Sequence, residues 1–198
     1  DRPLTFDAEI YTTSFSNQIV VDYDRSVREV CITNLNGASY ATNVMAQVLA
    51  SPLPRFDVLV AYRWVDVQAP YGGSQQQRPM VSRSRVLTTL SYATLEGEWQ
   101  ADVTIAWNST GRLPTTSGNP PGATLSNTFP SWWRVNGQIT KRFGTFDIYV
   151  GIENATNFIQ NDPILGADMP YGETFDASLT WGPLDSRMFY AGVRLTIE

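Results

Sequence analysis

The sequence predicts an all-β fold, an antiparallel meander of about eight long strands. Three observations point to it. Apolar and polar residues alternate in segment after segment, with no long stretch of helical periodicity. The connections alternate between tight turns and long Gly-, Pro- and Asn-containing loops. Two nine-residue spans, Phe56 to Trp64 and Trp99 to Trp107, begin and end on aromatic residues of the same face.

The elements follow in order. Leu4, Phe6, Ala8 and Ile10 alternate with Thr5, Asp7, Glu9 and Tyr11, and this first strand is expected to continue through "NQIVVDYD". A second strand falls within residues 28 to 50, where Val44, Ala46 and Val48 share a face while Met45 and Leu49 interrupt the other. The third is "FDVLVAYRW", the fourth "RVLTTLSYA", the fifth "WQADVTIAW", the sixth "WRVNGQITKRF", the seventh "FDIYVGIEN" and the eighth the stretch from Met188 to the end. In that last strand Phe189, Ala191, Val193, Leu195 and Ile197 take one side and Tyr190, Gly192, Arg194 and Thr196 the other.

"SPLPR", "LEGE" and "GT", before strands three, five and seven, are tight turns. "VQAPYGGSQQQRPMVS", "NSTGRLPTTSGNPPGATLSNTFPS" and residues 155 to about 186 are long connectors. All tight turns therefore fall at one end of the sheet and all long loops at the other. That is the asymmetry of outer-membrane barrels, with short periplasmic turns and longer outside loops.

The faces agree with a barrel in a bilayer. On strand three Phe56, Val58, Val60, Tyr62 and Trp64 oppose Asp57, Leu59, Ala61 and Arg63; on strand five Trp99, Ala101, Val103, Ile105 and Trp107 oppose Gln100, Asp102, Thr104 and Ala106. On strand six Trp133, Val135, Gly137 and Ile139 point outward, while Trp132, Arg134, Asn136, Gln138 and Thr140 face a wet interior. A tilted strand needs about 9–11 residues to cross a membrane, with an aromatic girdle at each surface. A soluble β-sandwich also ends strands on aromatics, but it does not require the girdle spacing or turns sorted by length. In hydrocarbon every backbone polar group must be paired, so the sheet is expected to close, the last strand on the first.

Composition narrows the functional classes. The chain has 198 residues, a net charge of −5 and only 17% charged residues against 12% aromatic, with a pI near 4.7 and a mean hydropathy of −0.20. No basic stripe is present to neutralise phosphates, so nucleic acid is excluded as a partner. The single cysteine, Cys31, forms no internal disulfide and no cysteine-based zinc site, and nothing marks its thiol as reactive. No histidine is present, so a Ser–His hydrolase, as some membrane barrels are, is not available to this chain. No run of 18 apolar residues predicts a transmembrane helix, a test to which barrels are blind. Asp1 is not an initiator methionine, so the start is expected to be processed or cut from a longer protein.

The stretches "FDIYVGIENATNFIQNDPILGAD" and "WGPLDSRMFYAGVRLTI" resemble the C-terminal end of TonB-dependent outer-membrane receptors, especially those of Bacteroidota-type bacteria, and "NQIVVDYDRSVREVCITNLNGASYATN" is similar to that family's barrel. Tyr190, Gly192, Leu195 and Ile197 fit the closing-strand signal read by the outer-membrane assembly machinery, with Glu198 in place of the usual terminal aromatic. The resemblance implies a barrel of about 22 strands. This chain, residues 1–198, would be a single segment, the C-terminal third of that barrel, the plug domain and earlier strands lying outside it. It also implies a location in the outer membrane of a Gram-negative bacterium and no catalysis. The implied partners are the lipid bilayer, the plug, the TonB energy-coupling complex and a scarce ligand such as a siderophore, cobalamin or another small-molecule or metal chelate. No resident cofactor or metal is implied.

Candidate sites divide by position. Loops on a rigid scaffold are where binding usually resides, which singles out Arg112, Trp132, Trp133, Asp168 and Tyr171. Asp57, Arg63, Asp102, Arg134, Asp147 and Glu153 point inward, to contact substrate or plug or, as the plainer reading, to hydrate and pair along a polar wall. Asp162, Asp168, Glu173 and Asp176 lack the fixed spacing of a calcium loop and read as a solvated segment. The glycosylation-like "NST" at Asn108 and "NAT" at Asn154 carry no weight in a bacterial barrel. Two further functions stand beside the receptor: a complete eight-stranded barrel acting as anchor or pore, against which the length of strands one and two argues, and a soluble β-sandwich binding module such as a lectin.

Overall fold

The computed structural model describes residues 3–34, 37–71 and 73–196. In chain order its strands are β1 (Leu4–Phe15), β2 (Ile19–Asp22), β3 (Cys31–Asn34), β4 (Ser39–Leu53), β5 (Phe56–Tyr71), β6 (Ser74–Gln77), β7 (Ser84–Ala93), β8 (Trp99–Asn108), β9 (Gly111–Arg112), β10 (Thr128–Phe129), β11 (Trp132–Phe143), β12 (Phe146–Glu153) and β13 (Met188–Leu195). Eight of these form one antiparallel meander in the order β1-β4-β5-β7-β8-β11-β12-β13, with β6 added beside β5. No described residue is helical.

The tight turns all lie at one end. Leu53 pairs with Phe56 across Pro54 and Arg55, and Phe143 pairs with Phe146 across Gly144 and Thr145. Arg55, Gly97 and Gly144 take positive φ, at 62°, 67° and 61°, the left-handed conformation that short hairpin connections demand.

Register carries the alternation from strand to strand through the body of the sheet; a register shift between Ala50 and Leu53 lies beside the β4–β5 turn. Through the middle of the sheet Phe6 lies opposite Val48, Val48 opposite Val60, Val60 opposite Thr88 and Thr88 opposite Ile105. Ile105 then meets Val135, and beyond it Ile139 meets Val150 and Val150 meets Ala191. All these residues stand on one face. No described residue covers it: Phe6 is 66% exposed, Val150 51% and Val193 67%. The described buried apolar residues lie instead toward the long-loop end: Val20 clusters with Ala69 and Tyr71 at the end of β5, and Leu113, Phe129, Leu165 and Leu179 are buried beyond the strands of the meander. A β-sandwich would bury the apolar face under a second sheet, and the described residues contain no such layer.

Three sequence expectations need correction. The first strand does not run through "NQIVVDYD": β1 ends at Phe15, and Ile19–Asp22 pairs with Cys31–Asn34 as a separate hairpin. There Val20 and Asp22 turn to the inside of the loop cap while Ile19 and Val21 are exposed, so a second period-two run served a different sheet. Cys31 accordingly sits in that hairpin, opposite Asp22. The connector starting at Val67 is largely strand, because β5 continues to Tyr71 and returns as β6, with Tyr71 opposite Ser74 across the Gly-Gly pair. Finally, the meander stays open. β1 and β13 are its two edges, unpaired with each other among the described residues, so the last strand does not close on the first within this chain and the complete eight-stranded barrel is not formed.

Candidate functional site

Two aromatic belts edge the apolar face. At the turn end Phe143 stacks on Phe146 at 5.1 Å, and Lys141 lies 5.0 Å from the Trp99 ring and 5.5 Å from Phe143 while pairing with Glu98. At the loop end Trp107 meets Trp133 at 6.3 Å, and Arg83 lies over Trp64 at 5.8 Å. Between the belts no Asp, Glu, Lys or Arg stands on this face among the described residues. Trp133 thus belongs to the outer belt, on the opposite side of β11 from Trp132.

The other face is polar and cross-linked. Gln47 donates to Asp7 at 3.2 Å, Ser51 to Asp57 at 2.5 Å, Ser91 to Asp102 at 2.7 Å and Tyr190 to Gln138 at 3.0 Å. Arg142 pairs with Asp147 at 3.2 Å and Arg134 with Glu153 at 3.4 Å. Near the turn end one row of neighbours runs Asp57, Ser91, Asp102, Gln138, Gly151, Tyr190. Six residues along each of β5, β7, β8 and β11, about 20 Å toward the loops, another row runs Arg63, Arg85, Asn108, Trp132. The face is therefore acidic toward the turns and basic toward the loops.

Tyr190 and Gly192, read as part of a terminal signal, have a local role in this face. Tyr149 opposes Gly192 and Tyr190 opposes Gly151, and each ring lies where a Cβ on the opposing glycine would be. Leu195 points to the apolar side, 64% exposed, and Ile197 lies outside the described residues.

Above the loop end a cap is built by side chains that satisfy backbone. Arg112 forms a two-pronged pair with Asp24 at 3.0 and 2.8 Å, donates through Nε to the Gln77 carbonyl at 2.7 Å and lies over the Tyr71 ring. Asp24 also accepts from the Thr115 amide at 2.9 Å. Burial raises the Tyr71 phenol above its ordinary pKa, against the lowering effect of Arg78 and Arg112. Asn154 donates to the carbonyls of Phe158 and Asp185 and accepts from Thr156 and the Phe158 amide; Gln160 donates to the Leu179 carbonyl and accepts from the Trp181 and Gly182 amides. These two amides turn residues 154–187 into a folded lobe. A line of rings, Phe129, Trp181, Phe158 and Trp132, ties that lobe to the base of β11 at spacings of 4.8, 6.1 and 5.7 Å.

Between the lobes is a cavity of about 560 Å³ whose walls include Arg28, Glu29, Thr115, Glu173 and Asp176. Arg28 bonds Glu173 across it at 3.0 Å. Asp168 and Tyr171 are exposed on the same lobe, Tyr171 completely. Among the described residues no three acidic, His or Cys side chains gather as a metal site. Both asparagines of the glycosylation-like motifs are buried, Asn108 at 6% and Asn154 at 2% exposure.

The structure thus gathers Arg63, Trp132 and Arg134 at the loop end of the polar wall, and it sends Asp57, Asp102 and Asp147 toward the turns. It separates Arg112, Asp168 and Tyr171 from both groups. Sequence reasoning missed Arg85 and Asn108 in the basic row: Arg85 lies at a polar-face position of the recognised fourth strand, whereas Asn108 was read as the start of a connector and is the last residue of β8. It also missed Asp24, Asn154 and Gln160, for which periodicity carries no signal.

No protein-family model and no curated protein sequence matches the chain. The fold does match solved structures. The closed form of the ferric-catecholate import receptor Fiu of Escherichia coli K12 aligns over 97% of this chain with a TM-score of 0.64 at 10% sequence identity. The chain spans 25% of that receptor's length. The sheet therefore has the fold of a portion of a receptor β-barrel wall.

Proposed function

We propose that this chain is part of the wall of a TonB-dependent outer-membrane receptor that takes up a scarce chelated nutrient. The observation that carries the reading is the sheet's two-sidedness. An apolar face bounded by two aromatic belts and covered by no other layer fits lipid. The opposite charged, hydrogen-bonded face fits a wet lumen, and the folded cap at the long-loop end fits an outer ligand vestibule. The receptor-barrel fold and the resemblance in residues 146–168 and 181–197 support the assignment; the Bacteroidota affinity rests on those residues alone.

On this reading residues 1–198 form one C-terminal segment of a larger barrel. The open edges at β1 and β13 pair with strands contributed by the rest of the wall, since an exposed edge in a bilayer is not tolerated. The plug, the TonB complex and the assembly machinery are then the partners, the location is the Gram-negative outer membrane, and the chain binds and admits its ligand without chemistry on it. The name of the structural neighbour makes a ferric catecholate the first chelate to test.

The test is fractionation joined to uptake. The full protein carrying this segment is expected in the outer-membrane fraction, extracted only by detergent, and cells lacking it should lose accumulation of ⁵⁵Fe supplied as a chelate. Recovery in buffer without detergent, or undiminished uptake of ferric catecholate, hydroxamate, citrate and haem together with cobalamin, would reject the reading.

A further inference from the structure

The apolar face is not uniformly flat. Near its turn end a groove of about 270 Å³ lies across β8, β11 and β12, lined by Trp99, Ile139, Phe143, Ile148 and Val150 together with Lys141. Ile139 has the short Ala101 as its neighbour on β8 and Val150 on β12, and the next outward position toward the turns sets Lys141 between Trp99 and Ile148. Apart from Lys141 the lining is wholly apolar.

Lys141 lies down at the turn-ward end of this groove. Its side chain is largely covered, with the ammonium 5.0 Å from the Trp99 ring and 5.5 Å from the Phe143 ring. Held so, it is a fixed cation at the aromatic belt, the depth at which lipid headgroups begin. Glu98 pairs with it from the turn, and the Glu98 carbonyl is itself anchored by the Arg142 amide at 2.7 Å. The Glu98 carboxylate is 52% exposed, with Lys141 as its described partner.

The opposite belt also carries a cation over a tryptophan, Arg83 over Trp64, yet its charges are used up within the protein. Asp66, which pairs with Arg83, also accepts from Gln68 at 2.9 Å and from Tyr40 at 3.4 Å, and its side chain is 12% exposed. At the turn end both a cation and a carboxylate stay open to a ligand, side by side at the mouth of an apolar groove.

We propose that this groove docks one phospholipid of the turn-side leaflet, an aminophospholipid whose phosphate meets Lys141, whose primary ammonium meets Glu98 and whose acyl chain lies along Ile139, Ile148 and Val150. The site rests on the membrane reading of the sheet and adds to it a preferred headgroup. Charge complementarity chooses the head. A phosphate linked to an ammonium matches a lysine beside a glutamate, so each charge of the lipid gains an opposite partner and the ammonium donates its N–H groups to the carboxylate. A choline head has no N–H to donate, and a glycerol head sets an uncompensated phosphate beside Glu98.

The experiment reconstitutes the full protein in phosphatidylcholine nanodiscs doped in turn with three photoactivatable phospholipids, which share diazirine-bearing chains and differ in an ethanolamine, choline or glycerol head. Cross-links are mapped by mass spectrometry of peptides. Labelling of residues 139–150 by the ethanolamine lipid should exceed that by the other two about threefold or more. Labelling around Phe6 and Val48, on the same face but away from the groove, should not discriminate. E98Q should bring the ethanolamine lipid to within about twofold of the choline lipid and raise labelling by the glycerol lipid. K141Q leaves Glu98 uncompensated against the phosphate and should lower labelling by all three. Ile139→Trp fills the groove with both charges in place and should remove the preference at residues 139–150. Equal labelling by the three heads in the wild type overturns the site and leaves the membrane reading standing, as does a preference for the choline or glycerol head. An ethanolamine preference that E98Q leaves unchanged overturns it as well. Labelling around Phe6 and Val48 without residues 139–150 overturns it too, a nanodisc mass of two copies then assigning the groove to a second copy of the protein. Absence of labelling anywhere on the apolar face overturns the site together with the membrane reading.

Discussion

Val103 and Thr104 are consecutive on β8 and stand on opposite faces of the sheet. Val103 has Leu90 and Gly137 as cross-strand neighbours on the uncovered apolar face, while Thr104 has Thr89 and Asn136 on the wall that carries hydrogen bonds and ion pairs. A strand one residue thick cannot average these environments, so each substitution reports on one side only. The difference also accounts for the small core among the described residues: the apolar side chains of the sheet are left on an uncovered face, which on the proposed reading meets lipid, and the polar contacts lie on the other face and in the cap.

The largest expected effect breaks this comparison at mid-span. Val103 lies midway between Trp99 and Trp107, so Val103→Arg should cost ~2–4 kcal/mol of barrel stability, with Ile105→Arg costing less as the loop-end belt is approached. Thr104→Arg should change little, since a new cation on a hydrated wall keeps its water. Denaturant midpoints of the full protein in phospholipid vesicles read all three. Equal losses at Val103 and Thr104 would mean that the two faces share one environment and that the membrane assignment is wrong.

A second prediction contrasts wall and cap. Asn154→Ala removes the donor to two carbonyls and the acceptor for Thr156 and the Phe158 amide, which should cost about 1–3 kcal/mol of local stability. Hydrogen exchange should lose protection across residues 155–187 and keep it in β8 and β11. Removing the exposed Tyr171 side chain should leave both regions as they are.

The third acts within the polar wall. Gly151→Ala forces the Tyr190 ring aside and breaks its bond to Gln138, at about 1–2 kcal/mol for an overpacked contact. Tyr190→Ala in the same molecule should remove most of that penalty. Additive losses in the double variant would show that the ring does not lie over the glycine.

How much of this was legible follows from periodicity. The long strands, the two faces, the turn end and the shared polar face of Asp57, Arg63, Asp102 and Arg134 all follow from alternation, because a one-residue register step decides which side a residue takes. Period two says nothing about which sheet a run joins, so "IVVD" reads as a continuation of the first long strand although it pairs with Cys31–Asn34. The Gly-Gly pair between Tyr71 and Ser74 is a hairpin signal hidden in a loop-like composition. Arg112 looked like a free loop cation and is instead locked between Asp24, Gln77 and Tyr71, contacts separated by up to 88 positions in the chain. The convergence of Arg63, Arg85, Asn108 and Trp132 needed registers across four strands, which no single segment contains.

The smallest predicted effect tests the edge of the apolar face. Lys141 stands opposite Trp99 and Ile148, on the same side as Val103, yet its ammonium is held by Glu98 and lies over the Trp99 and Phe143 rings. A long side chain at the membrane surface can keep its stem in the apolar layer and its charge at the headgroups, and cation–π contacts at exposed sites contribute about 0.5–1 kcal/mol. Lys141→Gln should therefore lower stability by less than about 1 kcal/mol, and the loss should shrink as salt is raised. The sign at Val103 and Lys141 is thus set by depth and not by side: one face rejects a cation at its centre and holds one at its rim. If Lys141→Gln cost as much as Val103→Arg in the same vesicles, the belt at Trp99 would lie inside the hydrocarbon, and the nine-residue span would be too short to cross it.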